Sequence, residues 1–165
     1  FSVLSEQGLG GGNLTIALIA VTQLDLLGQC YVILSNQVKR NSRGDIDQTD
    51  AFLKLIKDNV TNWGFTEDEV KTFWKRVRHK LVHQSYPKAT ILVPKPEDNK
   101  TMKELLNYAN QNAAKPFYFD GDLVVVFADA LIQSVENIKA QIASKLGNGD
   151  FTDEQIGEAV QFVLE

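Results

Sequence analysis

Between Lys71 and Lys88 the chain reads KTFWKRVRHKLVHQSYPK, with six basic residues and no Asp or Glu, and Arg78-His79-Lys80-Leu81-Val82-His83 stands at its centre. These residue types suit phosphate chemistry. An arginine guanidinium can fork two hydrogen bonds onto a phosphate and stabilise the charge of a pentacoordinate state. A histidine of ordinary pKa, ~6.5, exchanges a proton at neutral pH and so can serve as general acid or base.

Spacing constrains how these groups meet. Five residues at 3.6 per turn place Arg78 and His83 about 140° apart on a straight helix, so they converge only through a break near Pro87 or across a symmetry-related partner. A position near a helix C-terminus favours protonated His83, which suits an acid better than a base. His79 and His83 also stand at i and i+4, the spacing of two zinc ligands. Lys80, however, occupies the place of a zinc protease's glutamate and repels a cation, and the chain has no third histidine. No metal or other cofactor is therefore expected. The plain alternative lays Arg78 along Trp74 and leaves both histidines in solvent.

The run Arg78 to His83 resembles the signature of the HEPN domains, small helical bundles marked by an arginine, a polar residue and a histidine a few positions on, often as Arg-polar-x-Leu-Val-His. The resemblance covers these six residues directly, and loosely the order of helices around them. It implies a metal-independent endoribonuclease in which two chains pair so that both motifs line one cleft, and RNA is cut by attack of its own 2′-hydroxyl on the adjacent phosphate. His83 would then act as general acid or base, Arg78 would hold the phosphate, and His79 would orient it. Lys75, Arg76, Lys80 and Tyr86 would contact the substrate. Many toxin-like members carry a tyrosine two residues after the histidine, where this chain has Ser85 and then Tyr86, so regulation by an antitoxin-like protein partner loses its usual tyrosine. Other members bind nucleotides or serve as structural modules, which leaves a non-enzymatic module, binding a nucleotide or an acidic protein partner, as the alternative.

The elements that must position the motif are helical. Leu14 to Val38 reads as a first helix, apolar on most faces as a helix surrounded by others should be. Asp47 N-caps a second helix carrying Phe52, Leu55, Ile56 and Val60, and Gly64 stops it. Thr66 and Glu69 form a capping box, with Phe65 stapled to Val70, at the head of the third helix. Val70, Phe73, Trp74, Val77 and Leu81 make its inner stripe, and Pro87 ends it near Val82 to Ser85. Residues 89–121 read as an insertion: a short extended run at ATILVPKP, a small helix over Thr101 to Asn112, and a strand or hairpin in PFYFDGDLVVVF. A further helix is expected from about Val125 to Leu146, ended by Gly147, with Phe127, Leu131, Val135, Ile138 and Ile142 inward. Thr152 and Gln155 open a last piece by a second capping box. The expected fold is mainly α, a bundle of four to five helices with a small extended or β-hairpin insertion. Residues 1–147 form the bundle, and 148–165 a final helix or docking arm.

Composition sets limits. A chain of 165 residues buries roughly 70% of its unfolded surface as one domain. Its single cysteine, Cys30, forms no internal disulfide, which suits a reducing cytoplasm. Leu14 to Leu34 has the length of a membrane span, but Gln23, Asp25 and Gln29 interrupt it, and no basic stretch precedes it as in a signal peptide, so neither membrane nor export is expected. The glycines of SEQGLGGGN miss the phosphate-loop pattern, and GNGDFTDEQIGE misses the calcium-loop offsets. A net charge of −4 does not mark a nucleic-acid binder as a whole. That average conceals +6 over Lys71 to Lys88 and −10 over the rest, so RNA is expected only at the island, weakly and with steep salt dependence.

Overall fold

The computed structural model describes residues 10–60, 63–84, 90–93, 115–120 and 123–164. Five helices are present among them: α1 (Gly10–Leu34), α2 (Gln48–Asn59), α3 (Glu67–Gln84), α4 (Ala128–Gly147) and α5 (Asp153–Leu164). Three strands, β1 (Thr90–Val93), β2 (Phe117–Asp120) and β3 (Leu123–Phe127), lie between α3 and α4. The fold is the expected mainly helical bundle with a small β insertion. The small helix expected over Thr101 to Asn112 lies outside the described residues.

Local hydrogen bonding sets the helix starts where short-range chemistry puts them. The Asp47 carboxylate accepts from the Thr49 and Asp50 N–H groups at 3.0 and 3.1 Å. Thr66 and Glu69 cap each other, the Thr66 N–H donating to Glu69 Oε2 at 2.8 Å and the Glu69 N–H to Thr66 Oγ1 at 3.3 Å. The Thr66 N–H bond, and after it the Thr66 hydroxyl donating to Glu69 Oε2 at 2.9 Å, hold the Glu69 carboxyl below its ordinary pKa. Thr152 and Gln155 repeat the exchange ahead of α5.

Some ends differ from expectation. α1 stops at Leu34 because Asn36 adopts a left-handed φ of 53°, with Asn36 N–H bonded to Ile33 O and Gln37 N–H to Val32 O, a Schellman closure. α4 ends at Gly147, the expected glycine, and the left-handed closure after it falls at Gly149 (φ 76°). Its start, however, moves. Val125 to Phe127 are strand rather than helix, because these β-branched and aromatic residues occupy the centre of a sheet.

That sheet joins what the sequence showed as separate pieces. Its order is β1-β3-β2, with β1 parallel and β2 antiparallel to the central β3. Val124, Val125 and Val126 are almost wholly buried, as a central strand covered on both faces requires. Phe117 of β2 docks the insertion on the bundle, its ring stacked 3.9 Å from Phe73 and 4.2 Å from Phe65. Phe52 stacks on Trp74 at 3.9 Å beside them.

α1 packs against α2, α3, α4 and α5, with Ala17, Ala20, Val21 and Leu24 fully buried. It is not surrounded, however. Leu18, Ile19 and Leu26 are exposed, so its apolar character extends to an outward face. Thr15–Leu34 is long and apolar enough to cross a membrane by length and composition. Of the two alternatives for the tail, α5 lies along α1 and buries Ala159 in the common core. Lys145 of α4 ties the helices at one end, donating to Tyr31 Oη at 3.0 Å, to Asn59 Oδ1 at 2.9 Å and to the Asp58 carbonyl at 3.2 Å.

Gly28 lets α1 and α2 approach closely. A Cβ there would stand 3.2 Å from the Ala51 carbonyl carbon and the Phe52 nitrogen, both backbone atoms. Gly28→Ala is expected to lower unfolding free energy by about 1–2 kcal/mol in denaturant titration, overpacking outweighing the gain in helix propensity.

Candidate functional site

α3 positions the motif. With Val70, Phe73, Trp74 and Val77 buried, the remaining positions turn outward at 100° per residue. Lys71, Lys75 and Arg78 fall along the flank beside α1 and the α1–α2 loop. By the same rotation the helix positions of His79, His83, Arg76 and Lys80 stand about 100°, 140°, 160° and 160° from that of Arg78. The helix is continuous from Glu67 to Gln84, so both Arg78 and His83 lie within it, about 140° apart, and a break at Pro87 cannot alter their relation. One chain therefore does not bring them together. The side chains of His79, Lys80 and His83, and all of Tyr86, lie outside the described residues. His83 does fall in the last helical turn, as its sequence position led us to expect.

Arg78 is held from α1. Its Nε and Nη2 donate to Asp25 Oδ2 at 3.2 and 3.0 Å, and the two side chains are 18% and 16% exposed. The Gln29 amide donates to Asp25 Oδ1 at 3.4 Å. Asp25 is the residue that sequence reasoning missed, having counted only as an interruption in an apolar run. Its signal was legible in principle: a lone carboxylate in a helix this apolar needs a cation, and the cationic island offers one. The pairing adds a partner that the picture of Arg78 laid along Trp74 did not contain.

Asp25 takes the side-on edge of the guanidinium, which leaves the end-on edge, Nη1 and the second Nη2 hydrogen, with no partner among the described residues. Arg78 lines a cavity of about 440 Å³ together with Lys75 and Trp74 of α3, Asn41 and Ile46 of the α1–α2 loop, and Asp47, Gln48 and Thr49 at the start of α2. A larger cavity of about 580 Å³ lies under the other side of α2. Val32, Leu53, Ile56, Trp63, Phe65 and Val70 give it an apolar part, and Lys39, Lys54, Lys57, Asp47, Asp50 and Glu67 also line it. We take the smaller cavity as the candidate site, because it contains the motif arginine and a second cation among hydrogen-bonding groups.

Cys30 is half-buried, and burial pushes its thiol pKa up, which works against a role as nucleophile. Among the described residues, no group of three His, Cys, Asp or Glu side chains is placed to hold a metal ion. In comparisons with known proteins, no family model, no curated protein and no solved structure matches the chain.

Proposed function

We infer that the chain is a HEPN-like, metal-independent endoribonuclease that works as a homodimer on single-stranded RNA. The observation that supports it best is Arg78: its side-on edge is fixed by Asp25, while its end-on edge has no partner among the described residues and the side chain lines a polar cavity. In this reading Arg78 holds the scissile phosphate and stabilises its charged transition state, and His83 of a second copy transfers the proton. His79 orients the phosphate, and Lys75, Arg76, Lys80 and Tyr86 contact flanking substrate. The uncharged, exposed face of α1 at Leu18, Ile19 and Leu26 is consistent with a surface covered by another protein. An antitoxin-like protein and a cytoplasmic setting belong to the same reading. The second reading, a non-enzymatic module whose cationic face binds a nucleotide or an acidic partner, is favoured by the Asp25 pair, since an arginine so engaged can be a purely structural tie.

Cleavage of single-stranded RNA separates them. The wild-type protein is expected to cut, and His83→Ala is expected to cut about 100-fold or more slowly with its circular dichroism unchanged. Mixing Arg78→Ala with His83→Ala chains is expected to restore part of the activity, because one mixed dimer rebuilds one intact pair. An intact substrate where a control nuclease works leaves the binding-module reading.

A further inference from the structure

We propose that the larger cavity holds a free amino acid with a large apolar side chain, seated between α2 and the head of α3, with its ammonium at Glu67 and its carboxylate at Lys57. The proposal goes beyond the nuclease reading and does not rest on it, since no residue of the Arg78 to His83 motif takes part.

Leu53, Ile56, Lys57 and Val60 stand three and four residues apart and so share one flank of α2. The α2–α3 connection and the first turn of α3 bring Trp63, Phe65, Glu67 and Val70 to the same cavity. Ile56, Trp63 and Val70 are almost wholly buried and make its floor, and the partly buried Leu53, Val60 and Phe65 make its walls. Its volume of about 580 Å³ lies within the range of small-ligand sites.

No single sign of charge dominates around this cavity. Lys39, Lys54 and Lys57 line it against Asp47, Asp50 and Glu67, and Asp58 and Lys115 beside it add one charge of each sign. A simple anion or cation therefore gains little from the lining as a whole. Most of these groups are also engaged: Lys39 with Asp50, Lys54 with Asp58, Asp47 with the N–H groups that open α2, and Lys115 over the Phe65 ring. Lys57 and Glu67 remain, both exposed, and neither has a hydrogen bond or ion pair among the described residues. One unpaired ammonium and one unpaired carboxylate at the mouth of an apolar cavity complement a ligand with one charge of each sign beside an apolar body. An amino acid with a large apolar side chain has that chemistry.

Calorimetric titration with L-phenylalanine tests this at about pH 6, where the α-amines are charged. L-alanine, L-phenylalaninamide, N-acetyl-L-phenylalanine and the doubly blocked N-acetyl-L-phenylalaninamide are compared with it. L-phenylalanine is expected to bind at least tenfold more tightly than L-alanine, which lacks the ring. Its advantage over either singly blocked form is expected to be about three- to fivefold, the modest size of contacts with exposed charges. Lys57→Gln is expected to erase the advantage over the amide, and Glu67→Gln the advantage over the N-acetyl form, each variant keeping the other preference. Leu53→Trp, which fills the groove, is expected to abolish binding with circular dichroism unchanged. Absence of L-phenylalanine binding at millimolar concentration overturns the proposal, as does binding that Leu53→Trp leaves intact. Equal affinity for L-phenylalanine and its singly blocked forms overturns the paired contacts. Tighter binding of the doubly blocked form, which stands for a residue within a chain, makes the groove a peptide site and overturns the free amino acid. All these outcomes are read without RNA, so they stand or fall apart from the nuclease.

Discussion

Phe117→Ala is expected to lower unfolding free energy by about 3–5 kcal/mol, the largest stability loss of any replacement considered. The ring is fully buried and sits where three parts of the chain meet: Phe73 of α3 at 3.9 Å, Phe65 of the loop before α3 at 4.2 Å, and Trp63 edge-on at 5.8 Å. Removing it leaves a void bounded by rings that cannot all collapse inward, because Phe73 is also held beside Phe52, which itself stacks on Trp74. Denaturant titration followed by tryptophan fluorescence measures it directly, since Trp63 lies against the ring. A loss under about 1 kcal/mol would mean that the sheet rides on the bundle without helping to hold it. The expected loss makes the β insertion part of the core.

The second large effect concerns Asp25 and Arg78. Asp25→Ala is expected to lower unfolding free energy by about 2–3 kcal/mol, because it leaves a largely buried guanidinium without its counter-ion; partial exposure of both groups keeps the loss below that of a fully buried pair. The double replacement Asp25→Leu with Arg78→Met is expected to regain most of that stability, since two apolar side chains of suitable length need no partners. RNA cleavage then separates the two roles of the arginine. In the nuclease reading the double variant is folded and cuts about 100-fold or more slowly, having lost the group that stabilises the phosphate. A double variant that is stable and cuts at the wild-type rate makes Arg78 a structural tie only.

These two effects fall on opposite sides of what sequence reading can reach. Phe117 stood within an aromatic, alternating run, so a buried strand there was legible, although its partners were not. Capping was legible too. Thr66 with Glu69 and Thr152 with Gln155 bond over three residues, and such short-range exchanges depend little on the rest of the fold. The end of α1 was read less well, because Asn36 ends it by a left-handed backbone conformation that this position adopts only in place. The start of α4 was misread for a related reason: Val125 to Phe127 fit a helix stripe and a strand equally, and pairing with β1 and β2 decided between them.

Sequence alone determined a mainly helical bundle, the inner stripe of α3 from Val70 to Val77 and the concentration of positive charge along that helix, because periodicity, capping and composition act between neighbours; Leu81, the last of that stripe, has its side chain outside the described residues. The tertiary structure decided that β1 joins β3 in parallel, that one face of α1 turns outward, and that Arg78 meets Asp25, 53 residues away. It also opened a polar cavity between α3 and the start of α2. Each of these depends on which distant surfaces come into contact, and hydrophobic burial, which drives that contact, carries no direction along the chain. For the arginine the consequence is specific: its spacing from His83 proposed a chemistry, and its ion pair with Asp25 set which edge of the guanidinium has no partner among the described residues.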